Sequence, residues 1–191
     1  MYLIAHETSP SNLLQILKSG VLFKGSEVQK RNISFGQGSA KRRLTEDPEV
    51  SLTDKNFGDK FDEVDGVYFR IFKVTDKIQT CFGECLMVFD KDILTSARFV
   101  INTEENFGFQ LAPNGQEGES QFSGEIGMTI TEIEDLPRLE HYHFNPHSSE
   151  LLIRDNVNIK PYIKTVFVKK QNQTEELIDV CRQLKIQIFT L

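Results

Sequence analysis

A chain of 191 residues, 39% hydrophobic and 26% charged, with 15 Phe and no Trp, is long enough to bury a core and ordinary in make-up for a globular protein. No apolar run approaches the ~20 residues of a membrane span, and MYLIAHETS lacks the basic and long apolar stretches of a secretion signal, so a cytoplasmic protein without membrane attachment is expected. The net charge of −6 excludes a broad, sequence-independent grip on phosphate backbones, but not a local one at KR 30–31, KRR 41–43 or KK 169–170.

In chain order, YLIAH (2–6) reads as a buried strand. Ser9 is a natural N-cap, Pro10 suits the first helical position, and Leu13, Leu14, Ile16 and Leu17 form one apolar helix face. Gly20 ends that helix as a left-handed cap, and VLF follows as a short strand. From Lys24 to Asp65 apolar periodicity is weak and charges are dense, with a short helix expected around AKRRL (40–44). So long a weakly patterned stretch inside a small domain is usually functional.

GVYFRIFKV (66–74) and CFGECLMVFD (81–90) read as central strands. DILTSARFVIN (92–102) suggests a helical turn and a strand, and 103–124 a loop. EIGMTITEI (125–133) has the β-branched alternation of a strand. ELLIRD (150–155) and IKTVFVKK (163–170) read as strands, TEELIDVCRQL (174–184) as an amphipathic helix capped by Thr174, and IQIFTL as a closing strand. The expectation is one α+β domain over 1–191, richer in strand than helix. Cys81, Cys85 and Cys181 are odd in number, and CFGEC has neither redox-pair nor zinc-knuckle spacing, so reduced structural cysteines are expected.

Four elements could carry chemistry. His6 ends the first strand, where a histidine either packs with a satisfied ring or points at a ligand. Tyr68 is, alone, an ordinary strand aromatic. Glu150 opens the apolar strand ELLI, and a carboxylate at the mouth of a buried strand needs a partner or a task. LEHYHFNPHSSE (139–150) packs three of the four histidines into a dozen residues. His141, His143 and His147 give HxH-x3-H, which would hold zinc only if the loop wrapped around it; no Cys or acidic residue supports this at an established spacing, so no metal is expected. FGQGSAKR lacks the GK[ST] of a phosphate loop, and no GxSxG context supports a nucleophilic serine.

The order of these elements resembles the ADP-ribosyltransferase superfamily, whose polymerase-like and diphtheria-toxin-like branch carries a His–Tyr–Glu triad on three such strands. His6, Tyr68 and Glu150 are the matching positions. HETSPSNLLQILKSG is similar, position by position, to the opening H-x-T-x-x-x-N-L-x-x-I-L-x-x-G of DarT-type DNA ADP-ribosyltransferases. ISFGQGSAKRRL resembles their basic segment with a catalytic arginine, here Arg42 or Arg43, and SELLIRDNVNIKPYIKTVFV resembles their glutamate strand and the strand after it. GVYF is nearer the polymerase pattern.

The resemblance implies a split central β-sheet with flanking helices, and cleavage of the nicotinamide–ribose bond of NAD+ with transfer of ADP-ribose. It implies that Glu150 stabilises the oxocarbenium-like state and orients the nucleophile. His6 and Thr8 would bind the ribose and phosphate side of NAD+, with Asn12 belonging to the same motif. The Glu7 backbone would clamp the nicotinamide amide, which requires its side chain to point away. Tyr68 would line the nicotinamide pocket, and Arg42 or Arg43 would grip the diphosphate or support the target nucleotide.

In this superfamily the loop before the glutamate selects the acceptor. Tyr142, His143, Phe144 and His147 either stack on a base or pack the loop. Ser148 stands where arginine-modifying members carry the first Glu of E-x-E, which disfavours an arginine acceptor. Single-stranded nucleic acid is the first acceptor to expect and protein the second. By resemblance a toxin role with an antitoxin partner follows. A silent NAD+-binding member and a metal-stapled interaction domain are the readings from other classes.

Overall fold

A computed structural model describes residues 2–33, 65–74, 78, 80, 83–102, 129–140 and 149–191. Strand β1 (Tyr2–Thr8) has Ile4 and Ala5 fully buried on successive, opposite faces, the mark of a strand covered on both sides. Helix α1 (Pro10–Ser19) starts as its sequence dictates. Ser9 is extended and its hydroxyl accepts the Asn12 N–H at 3.3 Å, with Pro10 in the first turn. Gly20, at φ 74°, donates its N–H to the Ile16 carbonyl at 2.7 Å and closes the helix. Leu13 and Leu17 are the buried face.

Strand β2 (Val21–Leu22) leads into helix α2 (Gly25–Lys30), a helix the weak periodicity of this stretch did not announce. Its cap comes from elsewhere in the chain: the Asp65 carboxylate accepts the Ser26 N–H at 2.9 Å and the Ser26 hydroxyl at 2.5 Å, with Lys24 Nζ at 3.1 Å. The helix expected around 40–44 lies outside the described residues.

Strand β3 (Val67–Lys73) stands where expected. Strand β4 (Cys85–Phe89) is shorter than the strand expected over 81–90, of which 81–82 lie outside the described residues and Gly83 and Glu84 are not strand. A 3₁₀ helix (Lys91–Ser96) and β5 (Phe99–Asn102) follow. Of the strand expected at 125–133, residues 125–128 lie outside the described residues, β6 (Thr129–Ile130) is present, and residues 131–133 are not strand. Ile133 instead opens a 3₁₀ segment, Ile133–Glu140, in which Pro137 withholds an N–H that a continuing ladder would need. Strands β7 (Glu150–Ile153), β8 (Val157–Asn158) and β9 (Ile163–Val168) follow. Helix α3 (Glu175–Leu184) is capped by Thr174, whose hydroxyl accepts the Leu177 N–H at 3.2 Å, and β10 (Gln187–Thr190) ends the order.

Eight strands form one sheet in the order β10-β9-β4-β1-β3-β7-β5-β6, while β2 and β8 pair separately. Neighbours in the large sheet are antiparallel except β10 with β9. Ile4, Phe69, Ile71, Met87, Leu151 and Val166 face Leu13 and Leu17 of α1 and Leu177 and Cys181 of α3 in the main core. The other face carries Ala5, Phe72, Leu86 and Val88, with Val100 and Leu152 beside Tyr68. Cys85 and Cys181 are buried free thiols pushed up to about 11 by burial, which leaves them un-ionised and inert at neutral pH. Among the described residues no helix is long and apolar enough to cross a membrane.

Candidate active site at the split of the sheet

The ladder between β1 and β3 runs from Tyr2–Lys73 to Ala5–Arg70. Beyond it the two strands go separate ways. Strand β1 stays paired with β4 through Thr8–Cys85, and β3 stays paired with β7 from Arg70–Glu150 back to Val67–Ile153. The sheet is therefore split at its centre, with His6, Glu7 and Thr8 on one lip and Val67, Tyr68 and Phe69 on the other.

His6 bridges the lips. Its Nδ1 lies 2.7 Å from the Tyr68 carbonyl oxygen, and its ring meets Phe69 edge-on at 5.6 Å between centroids. A carbonyl only accepts, so Nδ1 carries the proton and Nε2 of the neutral ring is an acceptor. Burial lowers the imidazole below its ordinary value of 6.5, outweighing the Tyr68 hydrogen bond and the Glu7 charge, so the ring is neutral.

Glu7 points to the opposite face, as strand alternation requires. Its carboxylate forms an ion pair with Arg70 and accepts the Gly83 N–H at 3.1 Å, its side chain 4% exposed and that of Arg70 11%. Gly83 is needed there. A Cβ would lie 2.6 Å from the Thr8 carbonyl oxygen and 2.7 Å from its nitrogen, closer than such atoms approach.

Tyr68 sits on the Glu7 face, paired with Leu152 and packed on the Val100–Leu152 cluster. Glu150, the first residue of β7, pairs with Arg70 on one side and Asn102 on the other. Glu7, Tyr68, Arg70 and Glu150 thus share one face, and the His6 ring turns to the other. His6 and Glu150 stand two strands and one rung apart, about 10 Å between backbones. Thr8 is buried and Asn12 lies in the first turn of α1. Arg42, Arg43, Tyr142, His143, Phe144 and His147 lie outside the described residues. Among the described residues no three His, Cys, Asp or Glu side chains converge as a metal would need.

Two members of this constellation escaped the sequence reading. Arg70 had a signal, a cation flanked on both sides by apolar residues within the strand VYFRIFK. Gly83 had only its place in CFGEC.

Residues 1–170 match a family of unknown function, DUF5863. Uncharacterized protein 422L of Invertebrate iridescent virus 6 is 39% identical over 173 residues, covering 89% of this chain and 86% of that protein. The chain belongs to DUF5863. This DUF5863 member has the fold of Thermus sp. 2.9 DarT. The DarT structure in complex with NAD+ matches 99% of this chain and 94% of that one, with a TM-score of 0.52 at 14% identity. The complex with ADP-ribosylated ssDNA matches 99% and 93%, with a TM-score of 0.53 at 15% identity. At that identity the likeness establishes the mixed α/β fold with its large central sheet.

Proposed function

We propose that this protein is an NAD+-dependent ADP-ribosyltransferase whose acceptor is a nucleic-acid base. The observation that carries the proposal is the split of the sheet, with His6 bridging its lips and Glu150 one rung away on the neighbouring half. The fold shared with a DarT solved with NAD+ and with ADP-ribosylated ssDNA supports the same reading.

In this reading the nicotinamide end of NAD+ enters the split. The Glu7 backbone holds the carboxamide, which its own side chain permits by lying on Arg70 and Gly83. The Nε2 of neutral His6 accepts from a ribose hydroxyl. Thr8, buried against Gly83, shapes that lip, and Asn12 steadies the start of α1 behind it. Tyr68 lines the nicotinamide pocket from the Val100–Leu152 side.

The bond between ribose C1′ and the pyridinium nitrogen breaks, and its electron pair leaves with neutral nicotinamide. The Glu150 carboxylate stabilises the positive charge growing on the ribose. A lone pair of the acceptor then bonds to C1′, and the proton it sheds passes to Glu150. Arg42 or Arg43 supplies charge to the diphosphate or the target nucleotide, and Tyr142, His143, Phe144 and His147 form the acceptor loop ahead of Glu150.

Incubation with labelled NAD+ and separate panels of single-stranded DNA, RNA and protein tests this. Nicotinamide release with label on DNA or RNA is expected. Label on protein alone replaces the acceptor, and no release with any panel removes the transferase reading.

A further inference from the structure

Arg70 is a buried cation in the middle of a sheet, where an unpaired charge is costly. It has one carboxylate on its diagonal, Glu7 on β1, with which it forms an ion pair. A second carboxylate stands directly across from it, Glu150 on β7, its register partner on the same face. Cross-strand partners hold their Cβ atoms about 5 Å apart, within easy reach of a guanidinium with five donors in a rigid plane. The Glu7 end is fixed from both sides, because its other oxygen accepts the N–H of Gly83 and Gly83 rests on the Thr8 backbone. The row Glu7–Arg70–Glu150 therefore runs across the split, anchored on the β1 lip and ending at the carboxylate assigned to catalysis.

We infer that Arg70 is a positioning residue for Glu150, holding its carboxylate in orientation while Glu7 holds Arg70. The inference rests on the transferase reading. One cation facing two carboxylates leaves the row with a net negative charge, which suits a site where positive charge grows on a ribose. Glu7 has a second consequence in this arrangement. It is the arm that fixes Arg70, so a substitution on the β1 lip reaches the catalytic carboxylate through the ion pair without touching it.

Two measurements on the full chain decide this. The first is a double-mutant cycle in denaturant unfolding with Arg70→Gln, Glu150→Gln and the double variant. Arg70→Gln is expected to shift the midpoint less in the Glu150→Gln background than in the natural chain, and equal shifts overturn the proposal. The second is nicotinamide release. Arg70→Gln is expected to lower kcat by about 10²-fold with KM for NAD+ changed less than about threefold, and Arg70→Lys to recover part of that loss. If the natural chain turns over NAD+ and Arg70→Gln keeps its kcat, the proposal fails alone. If the natural chain releases no nicotinamide, the transferase reading fails and the catalytic role of Arg70 with it, whatever the unfolding cycle shows. Should Arg70→Gln not fold, Arg70→Met, which keeps the apolar stem and removes the charge, gives the same decisions in the same cycle and assay.

Discussion

The imidazole of His6 donates from Nδ1 to the carbonyl of Tyr68 at 2.7 Å, across the point where the strands bearing them have parted. This bond fixes the tautomer and leaves Nε2 as an acceptor only while the ring is neutral. Because burial lowers the folded value below 6.5, the unfolded chain takes up a proton that the native ring refuses. Stability contributed at this position is thus complete above 6.5 and is lost as pH falls toward the folded value. Nitrogen-15 NMR of the imidazole should show the Nδ1–H tautomer and a midpoint below 6.5; an ordinary midpoint contradicts it.

Glu150→Gln keeps the size of the side chain and removes its charge. Transfer and nicotinamide release are expected to fall by about 10²–10⁴-fold, with the circular dichroism spectrum unchanged. Activity within tenfold of the natural chain would move the catalytic carboxylate elsewhere.

The arginine assignment is open between two neighbours and separates cleanly by single substitution. Of Arg42→Gln and Arg43→Gln, one is expected to lower turnover by about 10²-fold and the other to change it little. Equal and small effects would take the basic segment out of the reaction.

Gly83→Ala tests the β1 lip. The added carbon would fall 2.6 Å from a Thr8 oxygen that is part of the backbone and cannot swing aside. A loss of about 1–3 kcal/mol is expected from the denaturant midpoint, with the Glu7 anchor disturbed. A neutral outcome would mean that the lip relaxes freely.

Asp65 makes a prediction about local order. Its partial burial opposes ionisation, but hydrogen bonds from Ser26 and the Lys24 ammonium outweigh it and hold the carboxyl below its ordinary 3.8. Its contribution is therefore present above 3.8 and lost as pH falls through the folded value. Asp65→Ala should cost about 1 kcal/mol, as loss of a helix cap does, and speed amide exchange in α2 first.

What the sequence made legible were features written in consecutive residues. Ser9, Pro10 and Gly20 delimit α1 through local bonds, and Thr174 starts α3 in the same way. The apolar strings of β3, β4 and β7 mark strands with both faces covered, and the alternation of β9 marks one with a single buried face. Features made by distant residues were not legible. Helix α2 depends on Asp65, whose partner Ser26 lies 39 residues away, and its own composition carries no cap. Ile133 belongs to the β-branched alternation of its neighbours yet opens a 3₁₀ segment. In the site, His6, Tyr68 and Glu150 stand out through a resemblance of order. The partnership of Arg70 with Glu7 across 63 residues appears only when the strands are laid side by side.

The position of β1 also governs how the chain can assemble. The first strand of the chain lies inside the sheet, and its partners are β3 and β4, so it has no neighbour to pair with until residues up to Lys73 are present and lacks its second until Phe89. Each half then grows outward, through β9 and β10 on one side and β7, β5 and β6 on the other. Pairings this distant in sequence fold slowly. Until β9 arrives, the outer edge of β4, with Leu86 and Val88 on it, stays open to strand addition by another chain. A chain cut before Ile163 should accordingly aggregate rather than fold to a smaller sheet, and a chain cut after Val168 should lose the edge strand β10 together with the core cover that Leu177 and Cys181 of α3 provide.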